Sequence, residues 1–258
     1  MSADALELDD VAAEVGVHYQ TVYRWVRAGK LPANLVVGRY RVQRKELDAF
    51  LESRRAPVRL KPPGAARLER AAEKMHAALL NGDELAARDL ARTLAAEHTP
   101  LAELIQQVLV PPLQRIGRDW HDGKLSIWVE HRATAITERI LGEVAPRHRG
   151  RRRGTVMVAS VSGDRHSVAT TMAAVVLRDH NWSVHHLGAD MPADELVRFC
   201  NEQELDVAVL TVVNPSCSEL AEETAERMRA SGTPVVVGGP GRTLDDLLSQ
   251  VRGAVTNR

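Results

Sequence analysis

The chain has little of what marks a secreted or membrane protein. Its 258 residues include only two cysteines, Cys200 and Cys217. They show no metal-ligand spacing and are too few for a disulfide framework, which fits a reducing cytoplasm. The opening Met1-Ser2-Ala3-Asp4 has neither the basic nor the apolar region of a signal peptide. No apolar run approaches the roughly 18–20 residues needed to span a bilayer. These absences predict a soluble, cytoplasmic, nucleoid-associated chain with no membrane partner. Net charge is missing too: 34 Lys and Arg offset 34 Asp and Glu, so the whole molecule has no general pull toward nucleic acid. No P-loop, hydrolase motif or nucleophile–base pair stands out, which argues against an enzyme.

Charge is nevertheless unevenly placed. From His18 to Lys45 the basic residues Arg24, Arg27, Lys30, Arg39, Arg41, Arg44 and Lys45 occur without one acid. Acidic residues dominate elsewhere, as between Glu219 and Glu226. The N-terminal segment therefore presents a local basic face. Its pattern is that of a winged helix-turn-helix over residues 1–55. A helix at Leu8–Val15, a turn at Gly16-Val17 and a second helix at Tyr19–Ala28 stopped by Gly29 come first. Two short strands follow around Gly38-Arg39, and a closing helix at Lys45–Arg54 carries Leu47, Phe50 and Leu51 on one face. A recognition helix places polar and basic side chains at its N-terminal end. Gln20, Thr21, Tyr23, Arg24 and Arg27 occupy the second helix, and Arg39, Tyr40 and Arg41 form a basic wing. These are the candidate contacts to double-stranded operator DNA. A protein-interaction module with merely solvated charges is the blander alternative.

Residues 56–64, with Pro57, Pro62 and Pro63, read as a linker. From 65 to 146 the chain is helical at nearly every position, broken at Asn81-Gly82, Thr99-Pro100 and Asp122-Gly123-Lys124, which predicts a four-helix antiparallel bundle. Pro111-Pro112 inside the third helix predicts a kink. A basic tether at residues 147–153 follows. From 154 to 258 strand and helix alternate: Thr155–Val161, Ser183–Leu187, Val207–Val213 and Pro234–Val237 are strand-like and separated by helical stretches. That is an α/β doubly wound parallel sheet of Rossmann-like type, in which ligands sit beyond the C-terminal strand ends. His166, Asn214 and Gly238-Gly239 all fall there.

Two constellations carry chemistry. Trp120-His121 ends the third bundle helix, and Glu130-His131 begins the next. The short connection makes these helices antiparallel neighbours and brings an indole, a carboxylate and two imidazoles to one end of the bundle. Either half alone is better read as a core tryptophan or an ordinary acidic helix start. The second is Asp164-Arg165-His166, directly after the first strand of the sheet. A metal-ligating histidine usually donates its other ring N–H to a carboxylate, and Asp164 is placed to accept it.

The loop resembles the Asp-x-His-x-x-Gly cobalamin-binding signature, with Ala169 in the place of its glycine. The resemblance implies that His166 is the lower cobalt ligand, with Ser167 beside it. It also implies that the displaced nucleotide tail enters a slot near Thr211, Val213, Gly238 and Gly239, where Thr211-Val212-Val213 replaces a Ser-x-Leu motif. Trp120, nine residues, then Glu130-His131 is similar to the Trp-x9-Glu-His signature of the CarH/LitR family of adenosylcobalamin photoreceptor repressors. The N-terminal Thr21-Val22-Tyr23-Arg24-Trp25 and Gly29-Lys30-Leu31-Pro32 resemble the MerR/excisionase group. Taken together, these likenesses imply an adenosylcobalamin-dependent, light-responsive repressor. In it Trp120, Glu130 and His131 surround the upper adenosyl group and His121 takes the upper cobalt position after photolysis. The chain would be a homo-oligomer, a tetramer in the dark. Rival readings are a regulator that senses cobalamin or another tetrapyrrole without light, a corrinoid carrier for methyl transfer, and a regulator that has lost its cofactor.

Overall fold

The computed structural model describes residues 5–15, 17–36, 38–55, 64–145, 152–239 and 241–256. Residues 56–63 of the expected linker and 147–151 of the expected tether lie outside them, as do Gly16 and Val37. The chain divides into two compact units, residues 1–61 and 62–258.

In the first unit β1 (Ala5–Glu7), α1 (Leu8–Val15), α2 (Tyr19–Arg27), β2 (Asn34–Val36), β3 (Arg39–Gln43) and α3 (Arg44–Arg55) follow one another. The strands form an antiparallel sheet in the order β1-β3-β2. Strand β1 is too short to show a period in the sequence, and pairing Leu6 with Val42 gives it its place. The helices close over Leu8, Val11, Val22, Trp25, Leu31, Val42, Leu47 and Phe50, all buried. Each such side chain contributes about 1.5–3 kcal/mol of transfer free energy, so this small unit depends on nearly all of them.

The second unit begins with the bundle: α4 (Ala65–Asn81), α5 (Glu84–Ala96), α6 (Leu101–Glu103), α7 (Val110–His121) and α8 (Ile127–Val144). A π-helical segment, Leu104–Leu109, joins α6 to α7, so the expected kink takes the form of a widened turn in which Val110 N–H bonds the carbonyl of Ile105. Pro111 and Pro112 supply no N–H and crowd the preceding carbonyls, and a wider turn relieves both problems. Gly82 ends α4 at φ 74°, where any Cβ would lie 2.5 Å from the guanidinium of Arg132. That arginine donates to the Leu80 carbonyl at 2.8 Å and lies over the Trp128 ring, tying α8 to the end of α4.

The sheet consists of β4 (Thr155–Val161), β5 (Ser183–Met191), β6 (Val207–Leu210) and β7 (Val235–Val237), all parallel, in the order β5-β4-β6-β7. Its helices are α9 (Ser167–Asp179), α10 (Ala193–Glu202), α11 (Ser218–Ala230) and α12 (Leu244–Thr256). Val156, Val158, Val207, Val209 and Val236 share one core with α9, α12 and the bundle. Met157, Ala159, Val161, Ala208 and Leu210 pack with α10 and α11 on the other face. Every second residue of β4 thus faces the opposite layer, which accounts for its continuous apolar run. The order reverses between β4 and β6, so the crevice at their C-terminal ends is the switch point of the fold. Among the described residues no helix is long and apolar enough to cross a membrane.

Two strands differ from expectation. β6 ends at Leu210, three residues before Val213. Thr211 and Val212 still donate to Ala159 and Gly238, but the amides of Val213 and Asn214 turn to the carboxylate of Asp164. β5 runs on to Met191 through register shifts against β4, and the amide of Asp190 bonds the Asp164 carbonyl. Both departures serve one residue.

Candidate functional site

Asp164 sits just past β4 with its side chain 1% exposed. One carboxylate oxygen accepts from the amides of Val213 at 2.7 Å and Asn214 at 3.2 Å. The other meets His166 Nδ1 at 2.6 Å and the His166 amide at 3.3 Å. Burial pushes this carboxyl up, but the bonds from Val213, His166 and Asn214 together outweigh it and hold the group below the usual carboxylate range. An ionised acceptor fixes a proton on Nδ1, so that in the neutral tautomer of the half-exposed imidazole Nε2 carries the lone pair. The loop itself is braced by Asp190, which accepts from the Gly163 amide at 2.7 Å, and by Ser160, which donates to the Asp164 carbonyl at 2.7 Å.

The bundle meets this loop directly. Glu138 on α8 accepts from the Ser167 hydroxyl at 2.6 Å, so a carboxylate stands at the first turn of α9. His131 lies seven residues before Glu138, two turns along the same helix face, about 10 Å away. Glu130 meets His131 Nδ1 at 2.6 Å and accepts from the Thr134 hydroxyl at 2.9 Å. On α7, Gln114 lines a cavity against the sheet, and His121 lies seven residues further on the same stripe. The faces of both helices that touch the sheet domain thus lead, two turns on, to His121 and His131. Trp120 is 40% exposed there. Among the described residues no hydrogen bond joins Trp120 or His121 to Glu130 or His131, and no three His, Cys, Asp or Glu side chains could hold a metal ion by themselves.

The cavity occupies about 460 Å³ and lies between α9, α12, the ends of β6 and β7, and α7. Thr211, Val213, Gly238 and Gly239 line it, and so does Ala169. A Cβ on Gly238 or Gly239 would come no closer than 3.7 Å to Leu210 O or 3.9 Å to Val212 O. Neither glycine is needed by the fold, so what its missing side chain leaves is room in the cavity. The Thr211 hydroxyl makes only a long 3.4 Å contact to Ala159 O and remains available to a ligand.

In the first unit Gln20, Tyr23, Arg24 and Arg27 are exposed along α2, with Thr21 half-buried. Tyr23 stacks on Tyr19 and meets the edge of Tyr40, joining helix and wing. Arg39 and Arg41 both pair with Glu7, at 3.4 and 3.1 Å.

Residues 5–55 match a helix-turn-helix domain, and residues 71–144 and 154–256 match two B12 binding domains. The HTH-type transcriptional repressor CarA of Myxococcus xanthus is 28% identical over 262 residues, covering 92% of this chain and 87% of that protein. The chain has the make-up of a CarH-like, B12-binding transcriptional regulator. A corrinoid protein of Desulfitobacterium hafniense (strain Y51) is 24% identical over 177 residues, 65% of this chain and 82% of that protein. The solved monomethylamine corrinoid protein of Methanosarcina barkeri covers 73% of this chain and 99% of its own at a TM-score of 0.57 and 12% identity, a likeness of fold.

For a CarH-like, B12-binding chain the donor set is apt: a buried carboxylate fixes one imidazole, and a cavity with an apolar wall opens beside it. Cobalamin would bring its own cobalt, so a cluster of protein ligands is not needed to hold the metal. Of the sequence-derived residues, Asp164 and His166 form a direct pair, and Thr211, Val213, Gly238 and Gly239 share one cavity. Sequence reasoning missed Glu138, Asp190 and Glu7. Their partners lie 27 to 34 residues away, beyond any local pattern.

Proposed function

We propose that the protein is a cobalamin-sensing transcriptional repressor that uses adenosylcobalamin as its light-labile ligand. The observation that carries this is the Asp164–His166 pair at 2.6 Å on the switch-point loop, with Trp120 and His121 in the last turn of α7. When bound, adenosylcobalamin supplies a cobalt–carbon bond that visible light breaks. His166 would hold the cobalt through Nε2, while Asp164 keeps the proton on the opposite nitrogen. Trp120, Glu130 and His131 enclose the upper group, and His121 stands next to it, able to take its position once vacated. As the last residue of α7, His121 would carry any such movement into the bundle. In the dark the chain self-associates, to a tetramer, and presents several winged helices to one operator, multiplying weak contacts by effective concentration. Gln20, Thr21, Tyr23 and Arg24 read the major groove, and Arg27, Arg39, Tyr40 and Arg41 hold the backbone.

The test uses the purified full chain with adenosylcobalamin in darkness. Green light is expected to change the absorption spectrum irreversibly and to abolish the DNA mobility shift. A spectrum and a shift indifferent to illumination would refute the light reading and leave a cobalamin sensor. A second reading, a corrinoid carrier, draws on the likeness of the bundle and sheet to corrinoid proteins. The winged helix-turn-helix counts against it.

A further inference from the structure

The floor of the cavity is apolar, built by Met172, Val209, Val236 and Leu247. Its bundle side is Gln106, Val110 and Gln114. These three recur at every fourth residue across the junction of the π segment and α7, so they form one stripe. Across the cavity Gln250 already accepts from Arg242, which also donates to Val237 O. Among the described residues neither Gln106 nor Gln114 makes a side-chain hydrogen bond. Two uncommitted carboxamides thus stand beside a cavity of about 460 Å³ with an apolar floor, and they belong to the bundle rather than to the sheet.

We propose that Gln106 and Gln114 are specificity residues for the nucleotide tail of the corrinoid, so that the bundle reads the tail as well as the upper ligand. This rests on the cobalamin reading above. The heterocyclic base enters between Val209, Val236 and Leu247, where burial favours an aromatic ring. The ribose and phosphate of the tail then lie at the polar rim, within reach of amides that both donate and accept. A corrinoid without the nucleotide binds through its ring alone and leaves both glutamines unanswered.

The experiment compares hydroxocobalamin with cobinamide, the same ring lacking the nucleotide, titrated into the full-length chain and followed by absorbance. The variant Gln106→Leu/Gln114→Leu keeps volume and removes both amides. It is expected to weaken hydroxocobalamin at least about tenfold, the loss of two hydrogen bonds to the ribose and phosphate, and to leave cobinamide within about twofold. Q114A, at an exposed position, gives a smaller change in the same direction and serves if the double variant does not fold. Equal weakening of both corrinoids, or of neither, overturns the proposal. A wild-type chain that binds neither corrinoid refutes the cobalamin reading itself, a result distinct from the loss of discrimination.

Discussion

Replacing Asp164 with asparagine tests the centre of the site, because the pocket offers donors to both carboxylate oxygens. Val213 and Asn214 present amides to one, and His166 presents Nδ1 and its own amide to the other. An asparagine has one acceptor and one donor end. The amides of Val213 and Asn214 belong to the backbone that leaves β6, so the carbonyl must face them. The NH2 then faces His166. To avoid opposing donors, the imidazole must give up the Nδ1 proton and carry it on Nε2 instead. Nε2 is the atom that the proposed ligation needs unprotonated. A bond to a charged acceptor is worth about 1.5–3 kcal/mol, and loss of such a partner behind a metal-bound histidine typically costs 10–100-fold in affinity. The two figures agree, since tenfold is about 1.4 kcal/mol.

The assay is a titration of D164N with hydroxocobalamin, following the histidine-ligated absorption spectrum, beside a thermal melt of the free chain. Affinity is expected to fall 10–100-fold with cobinamide and cobalamin affected alike, since the defect lies at cobalt rather than in the tail slot. The melt should also lose an acid-side feature. Because Asp164 is held below its ordinary value when folded, it contributes stability that is present above the unfolded value and lost as pH falls through the folded one. D164N has no such term. A variant that binds cobalamin at wild-type affinity with an unchanged spectrum would show that the tautomer argument is wrong.

Two further outcomes are expected. Glu7→Gln releases Arg39 and Arg41 from their shared carboxylate, and each arginine freed to meet a phosphate steepens the plot of log affinity against log salt by about 0.9. Non-specific DNA affinity at low salt should rise with a slope steeper by about 1–2, and an unchanged slope contradicts the competition. His186 is held below its usual value mainly by burial, with Arg178 adding to it, so its contribution is complete above about pH 6.5 and declines as pH falls below that. His186→Gln should flatten the fall in melting temperature between about pH 6.5 and 5, and melts that remain parallel to wild type would count against it.

The sequence made the helices and strands legible because each has its own local period: the apolar runs of β4 and β6, the Ala-Leu faces of the bundle, the glycine after α2. Asp164-Arg165-His166 was legible for the same reason, since donor and acceptor lie two residues apart and their pairing follows from the loop alone. What stayed hidden is non-local. Strand β1 has three residues and exists only through β3. Glu7 gains meaning only when the sheet sets it beside a wing 32 to 34 residues later. The end of β6 could not be foreseen, because Val213 leaves the strand for a carboxylate 49 residues before it. The prolines at 111 and 112 announced an irregular helix, yet not that a π turn would absorb it.

That π turn matters to how two ligand positions are joined. In a continuous α-helix with Pro at 111 and 112 the backbone would bend, and residues before and after the bend would face different ways. Widening one turn by a residue instead keeps Gln106 on the cavity together with Val110 and Gln114. From Gln114 the same stripe runs two turns of unbroken α7 to His121. A short helix transmits displacement along its axis because each turn is tied to the next by backbone hydrogen bonds. Under the proposed reading a group pulling on His121 would also pull on Gln114, and a tail held by that amide would resist the pull. Occupancy of the slot and the position of His121 would then be joined through α7, which carries both Gln114 and His121. By linkage any such coupling would be reciprocal, each ligand biasing the other to the same extent whichever arrives first.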